Sequence, residues 1–327
     1  LMSDEILFLH SPLKEKIYGG TKIQKTFGFD EAANQKIGEY WAISAHENGT
    51  SIISNGTYKN HSLKEVYKQH RELFHNAKEE RFPLLIKINE ITRPVSVQVH
   101  PDDIYAEKYE NDLGKAEFCL YLDVDDGTKL IRGHTTNTKE EFKELALAGK
   151  WGQLLHRTPV KAGDCVFTPA GIVHGVEGKM LLAEVQQSSD VTYRIYDYDN
   201  TEPDGTPRKL HLEKALDVIC FPHKEPEMNI RDELHGNNHI LQYISNEFFR
   251  ITRYEIQESE TISNETYSLC LILSGEGHIH IKDESYFLKA GQGFIVTSRL
   301  YQLSAYRKHG YPDQRAGARI KEGKHVR

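Results

Sequence analysis

The sequence predicts a mainly β protein: two jelly-roll barrels with helical insertions. Three observations carry this. Short apolar runs broken by glycine and proline recur along most of the chain, the pattern of small antiparallel barrels and sandwiches. Helical spacing of apolar residues is confined to three segments lying between those runs. A polar stretch at about residues 223–239 separates a strand-rich tract centred on 84–200 from a second at 240–306. A length of 327 residues leaves room for two such units.

Taken in order, residues 5–58 read as short strands and turns, with a turn at Ile17-Tyr18-Gly19-Gly20 and a strand at Tyr40-Trp41-Ala42-Ile43-Ser44. Ser62-Leu63-Lys64-Glu65 has capping-box spacing and opens a helix to about Phe74, with Leu63, Val66, Tyr67, Leu73 and Phe74 on its apolar side. Strands follow at Leu84–Ile88, Val95–His100 and Phe118–Val124. Thr138-Lys139-Glu140-Glu141 starts a second helix, carrying Phe142 and Leu145 and stopping near Gly149; Trp151, Leu154 and Leu155 mark a further short turn. Strands resume at Asp164–Pro169, His174–Val176, Met180–Gln186 and Thr192–Tyr196, and a third helix covers about Leu210–Ile219. The expected division is a first unit over 1–222, a linker and second barrel over 223–306, and a basic tail over 307–327 that reads as disordered or appended sequence.

A net charge of −7 argues against general nucleic-acid binding. There is no apolar run of about 18 residues, so no membrane span is expected. Leu1-Met2-Ser3-Asp4-Glu5 lacks the basic start and apolar core of a signal peptide. Cys119, Cys165, Cys220 and Cys270 form no CxxC pair, and reduced structural thiols in a cytoplasmic protein are expected. Nothing in the sequence assigns an oligomeric state.

Ser96-Val97-Gln98-Val99-His100-Pro101 alternates at period 2, placing Val97 and Val99 on one face and Ser96, Gln98 and His100 on the other. Alone, such a strand is more often a solvated sheet face than a metal site. Downstream, Gly163-Asp164-Cys165-Val166-Phe167-Thr168-Pro169-Ala170-Gly171-Ile172-Val173-His174 has the pattern G-x5-P-x-G-x2-H, which resembles the second motif of the cupin superfamily. In that superfamily the turn aims the histidine into the barrel mouth, toward ligands from an earlier strand. Glu117, in Gly114-Lys115-Ala116-Glu117, lies between the two histidine motifs and supplies the anionic partner they lack. Gln98, His100, Glu117 and His174 would make a mixed N/O site without sulfur, suited to Zn²⁺ and also to Fe²⁺, Mn²⁺ or Co²⁺.

The third signal, Glu184-Val185-Gln186-Gln187-Ser188-Ser189-Asp190-Val191-Thr192-Tyr193-Arg194, makes the resemblance specific. Together with the Ser96–Pro101, Gly114–Glu117 and Pro169–His174 tracts it is similar to type I mannose-6-phosphate isomerases. Tyr193-Arg194-Ile195-Tyr196-Asp197-Tyr198-Asp199 and Ile17-Tyr18-Gly19-Gly20 resemble the short bacterial form, and the likeness covers about residues 5–306. The resemblance implies zinc on Gln98, His100, Glu117 and His174, a catalytic arginine at Arg194, an active-site lysine at Lys115, a motif serine at Ser96 and a glutamate at Glu184. It also implies interconversion of mannose 6-phosphate and fructose 6-phosphate.

The chemistry fits these residues. Moving a proton between C1 and C2 through a cis-enediol requires a cation on the two oxygens, a base, and an anion site. Arg194 can stabilise the enediolate, Lys115 and Ser96 can contact phosphate or hydroxyl, and Glu184 is the best carboxylate for the proton. Without the resemblance, Arg194 and Glu184 read as an ion pair between neighbouring strands. Two competing readings are a cupin oxygenase, since two histidines and a carboxylate also suit non-haem iron, and a non-catalytic sugar-phosphate-binding protein. Oxygen uptake with Fe²⁺ and an isomerase assay separate them. In the second tract, aligning Gly291 with Gly163 puts Thr297, Arg299 and Gln302 where Pro169, Gly171 and His174 stand, so a metal-free barrel with a packing role is expected. No final barrel strand is visible after Tyr306.

Overall fold

The computed structural model describes residues 4–307 and the backbone of 318–321. Among these residues, four large sheets of antiparallel strands stack in layers. The first, backed by helices, has five strands in the order Leu155–Pro159, Lys129–His134, His174–Glu177, Val95–Val99, Tyr193–Tyr196. The second, inner sheet has six: Cys165–Thr168, Glu117–Val124, Met180–Gln187, Leu84–Ile91, Ile37–Ile43, Leu13–Gly20. These two make the first sandwich. The eight-stranded third sheet runs Arg231–His235, Asn238–Ser245, Arg250–Glu255, Ala318–Lys321, Ser268–Leu271, Gly293–Val296, Ile6–His10, Ile52–Ile53. With the four-strand outer sheet (Ser259–Ser263, Gln302–Arg307, Glu276–Ile281, Glu284–Lys289) it makes the second.

Period-2 alternation explains the layering. Val97 and Val99 turn outward and pack with Phe142, Leu154 and Leu216 of the helices behind the first sheet. Ile86 and Ile88 face the third sheet, meeting Leu7, Leu269 and Ile295 in the core that joins the two sandwiches. Ile91, Tyr121, Leu130, Met180 and Leu182 close the floor of the first sandwich. Leu84–Ile91 and Met180–Gln187 are therefore buried on both faces, which makes any polar side chain on them conspicuous.

The helix opened by Ser62 has its reciprocal capping box, with Glu65 N–H donating to Ser62 Oγ and Ser62 N–H to Glu65. Several elements differ from the sequence reading. Ile17–Gly20 is no turn but the end of the strand Leu13–Gly20. Its glycines serve close approach: a Cβ on Gly19 would lie 2.5 Å from the Lys36 carbonyl oxygen, and one on Gly20 would collide with Glu90. That carboxylate is itself engaged, accepting from Lys22 N–H (2.7 Å) and Ile23 N–H (3.0 Å) at the start of the helix Lys22–Phe27, which the sequence reading also lacked. The helix Asp103–Glu110, capped by Asp102, buries only Ala106 and so shows no apolar stripe. Within the supposed linker, Arg231–His235 is a hairpin strand against Asn238–Ser245. In the tail, Ala318–Lys321 pairs with both Arg250–Glu255 and Ser268–Leu271, supplying a strand to the second sandwich. Residues 1–3, 308–317 and 322–327 lie outside the described residues. The first strand, Ile6–His10, joins the second sandwich by pairing with Gly293–Val296. No helix among the described residues is long and apolar enough to cross a membrane.

Candidate functional site

The interior of the first sandwich opens into a cleft lined from both sheets. On the helix-backed sheet, cross-strand register places Arg132 opposite His174, His174 opposite Gln98, and Gln98 opposite Arg194, so four polar side chains form one row. On the inner sheet, Lys87 stands opposite Glu184, and Glu39 opposite Asn89. Glu117 begins its strand beside Thr168 and Gln186.

One turn brings the histidines together. Gly171 (φ 85°) lies in the Pro169-Ala170-Gly171 turn, where a Cβ would meet Cys220 Sγ at 2.5 Å; its N–H donates to the His100 carbonyl (3.0 Å), tying the second motif to the first. His100 Nδ1–H donates to the Val191 carbonyl (2.9 Å) and His174 Nδ1–H to the Ile172 carbonyl (2.9 Å). A carbonyl can only accept, so both rings carry a proton on Nδ1, and Nε2 is the nitrogen each turns toward Glu117. His174 Nε2 lies 3.0 Å from Glu117 Oε1, and His100 Nε2 3.5 Å from Glu117 Oε2. His100 Nε2 is buried without a hydrogen-bond partner. Candidate ligand atoms of His100, Glu117 and His174 fall within 4.8 Å of one another. The Gln98 side-chain amide lies 3.3 Å from His174 Nε2, and Ser96 Oγ donates to its other end (3.2 Å). Lys115 Nζ is 3.8 Å from Glu117 Oε2.

Burial, reinforced by the Lys115 ammonium, pushes His100 down to about 3, so the ring is neutral at physiological pH. Burial works against the Glu117 carboxylate, but His174 and His100 outweigh it and hold the group well below the usual range. A neutral imidazole facing an ionised carboxylate is the state in which both can ligate a cation.

Glu184 differs from Glu117. Burial raises its proton affinity; Lys87 opposes this and the Glu117 charge adds to it. Its partners are Lys87 (Nζ to Oε1, 4.0 Å) and Asn89, whose Nδ2 donates to Oε2, and not Arg194. The ion pair between Glu184 and Arg194 considered from the sequence is thus replaced by a different arrangement. Arg194 has a buried Nε with no partner, and burial followed by the nearby Arg208 guanidinium lowers its proton affinity.

All eight residues singled out in the sequence come together here: Ser96, Gln98, Lys115, Glu117, His174, Glu184 and Arg194 line the cleft, and His100 lies beneath it against Glu117. Sequence reasoning passed over Glu39, Lys87, Asn89, Arg132 and Arg208, which line it too. Glu39 accepts from Tyr18 Oη (2.6 Å) and Trp41 Nε1 (2.6 Å), pairs with Lys16 at 3.5 Å, and is held at about 2: burial opposes ionisation, and Lys87 and Lys16 overcome it. The signal for Lys87 and Asn89 was present: two polar residues alternating with Ile86 and Ile88 in a mainly apolar strand.

A family model for the type I phosphomannose isomerase catalytic domain matches residues 6–123, and one for the mannose-6-phosphate isomerase cupin domain matches 239–304. Mannose-6-phosphate isomerase of Streptococcus mutans is 40% identical over 297 residues, spanning 90% of this chain and 93% of that one. The crystal structure of mannose 6-phosphate isomerase from Bacillus subtilis superposes with a TM-score of 0.91 at 33% identity, covering 96% of this chain and 99% of the other. A zinc-bound mannose 6-phosphate isomerase structure shares the fold, with a TM-score of 0.77 at 14% identity over 97% and 99% of the two chains.

Proposed function

The chain belongs to the type I phosphomannose isomerase family, and from that premise we propose how its cleft interconverts mannose 6-phosphate and fructose 6-phosphate. The observation that carries the reading is a cation-ready cluster beside a separate carboxylate of raised proton affinity, in one cleft.

The cluster fits a zinc ion on its own geometry. Two imidazoles fixed to present Nε2, one of them buried and unpartnered, converge on one carboxylate. Gln98 completes the set: Ser96's hydroxyl both donates and accepts, so it tolerates the amide orientation that turns Oε1 toward His174. We assign His100, Glu117, His174 and Gln98 to one zinc per chain, in keeping with the zinc held by the fold neighbour. Zinc bound there would supply positive charge to polarise the sugar's carbonyl oxygen.

The remaining steps fall to side chains. Glu184 takes the proton from C2, beside the carbonyl, and returns it to C1, while the O2 hydroxyl proton passes to O1; the intermediate is a cis-enediol. Lys87 and Asn89 hold its two oxygens at separate points, which fixes the direction of its lone pairs. Arg194 offers an unpartnered N–H and a fixed charge to the enediolate or the phosphoryl oxygens. Lys115 and Ser96 contact the sugar's hydroxyl or phosphoryl groups. This array of cations suits a phosphorylated substrate and does not favour oxygen chemistry. We place the protein in the cytoplasm, where its four free thiols stay reduced.

The test is fructose 6-phosphate formation from mannose 6-phosphate before and after chelation. Activity is expected to vanish on chelation and return with zinc. Full turnover by rigorously metal-free protein would overturn the reading.

A further inference from the structure

Beyond Tyr196 the chain leaves the helix-backed sheet as a strap and returns at Arg208. Tyr198 and Asp199 both take left-handed backbone (φ 52° and 58°), unusual for two successive non-glycine residues, and turn the strap away from the sheet. Asn200 Nδ2 donates to the Pro94 carbonyl (3.1 Å), and Glu202 N–H to the Thr206 carbonyl (2.8 Å), closing the tip. His211 N–H donates to the Arg194 carbonyl (2.7 Å) where the chain rejoins the sheet. Asp197, at one end of the strap, grips Arg208 at the other through a two-point fork: Nε to Oδ2 at 2.6 Å and Nη2 to Oδ1 at 2.5 Å. Their side chains are 6% and 10% exposed, so this pair is not the solvated kind that contributes little.

A staple for the strap would serve equally well with Arg208 turned away from the cleft. Instead Arg208 lines the cleft together with Arg194. The fork occupies Nε and one hydrogen of Nη2, leaving Nη1 for the cleft. Two guanidiniums facing one space repel, and one of them has an unpartnered buried N–H; an anion between them answers both conditions.

We propose that Asp197 is a positioning residue that holds the Arg208 guanidinium beside Arg194, making the pair a preorganised seat for the phosphoryl group of the substrate. The proposal rests on the reading of the cleft as a sugar-phosphate site. A clamped guanidinium loses little further freedom when phosphate arrives, and the Asp197 charge keeps the unliganded pair from being two uncompensated buried cations.

The experiment uses the zinc-loaded full chain, with inorganic phosphate as the probe. Asp197→Asn is expected to raise KM for mannose 6-phosphate about tenfold and to raise the inhibition constant of phosphate by the same factor, with kcat within about threefold. Asp204→Ala removes the acceptor of Thr206 N–H (2.9 Å) and Oγ1–H (2.7 Å) at the tip of the strap without touching the fork, and is expected to leave both constants alone. An Asp197→Asn protein with lowered Tm but unchanged KM and phosphate inhibition would make the fork a staple and overturn the proposal. Should that variant not fold, Arg208→Lys keeps the charge and removes the fork; wild-type phosphate inhibition there overturns it equally. Wild-type protein that binds phosphate but shows no isomerase activity would instead sink the functional reading on which the proposal stands.

Discussion

The two sandwiches share a frame and differ in what faces inward. The interior of the first is a cleft of about 200 Å³ lined from both sheets by carboxylates, amides, imidazoles and cations. That of the second encloses about 80 Å³, mainly among apolar side chains such as Ile262, Ile279, Leu288, Phe294 and Leu303. The contrast is sharpest at one turn. Gly163 and Gly291 both take left-handed backbone (φ 90° and 86°) before an inner strand. From Gly163 the chain reaches His174, turned toward the cleft. At the same offset from Gly291 stands Gln302, exposed at the start of its strand. Thr297 is buried and its Oγ1 donates to the Asp4 carbonyl (3.0 Å), while Arg299 reaches Asp4 (3.5 Å) and Glu72 (3.6 Å). The same frame thus serves a site in one case and the docking of the N-terminal segment in the other. Chemistry depends on the side chains at inward positions; the sandwich only aims them.

Four substitutions put this contrast under strain. The largest effect is expected from His174→Ala, which should lose most bound zinc by metal analysis and lower kcat about 10³-fold or more. Its circular dichroism and Tm should stay near wild type, because the four apolar cores do not include His174. Full zinc content with normal turnover would remove His174 from the site. Next, Glu184→Gln should slow turnover about 10²-fold with zinc content unchanged. Because burial raises the proton affinity of Glu184, the wild type should lose activity as pH falls, over a range lying above that of an ordinary carboxylate. That acid limb should be missing from the variant, and wild-type product made in deuterated water should carry solvent label. A fully active Glu184→Gln enzyme and unlabelled product would point to a hydride shift. Third, Arg194→Lys keeps a charge but loses the planar fork, and kcat should drop at least about tenfold; wild-type kcat would show that charge alone suffices. Smallest for activity is Ile279→Ala in the second sandwich. It should cost about 2–5 kcal/mol of stability by denaturant unfolding and leave kcat and KM unchanged at temperatures where the protein is folded. A large change in kcat would tie the second sandwich to the chemistry.

The candidate metal cluster was legible because its evidence is local. Gln98 and His100 share a strand face by period alone, and the Pro169–Gly171 turn announces His174. Glu39, Lys87 and Arg208 were not read, because their importance lies in which strands become neighbours, and register is not written in any one segment. Lys87 looks like one of two charges, with Glu90, in a mainly apolar strand until Met180–Gln187 pairs beside it and Glu184 arrives opposite. Among the elements, Arg231–His235 escaped because all five residues are exposed and no apolar alternation marks them. Ala318–Lys321 is four residues long and gains its place only from the strands on either side. The glycines at 19 and 20 misled for a related reason: the same residue type permits a turn and a close strand crossing, and only the partner distinguishes them.

The pairing of Ile6–His10 with Gly293–Val296 has a consequence in time. At roughly 5–20 residues per second of synthesis, Val296 leaves the ribosome tens of seconds after Ile6. Through that interval the first strand is held by the short Ile52–Ile53 strand, by Ser54 N–H donating to the Phe8 carbonyl (2.9 Å), and by Asn55, which accepts from Phe8 N–H at 2.7 Å. The proposed zinc ligands are all made within the same interval, well before the strand's partner exists. A nascent chain can therefore assemble its cleft while its own N-terminus is still an open apolar edge, and the second sandwich acts as the clasp that retires that edge from aggregation.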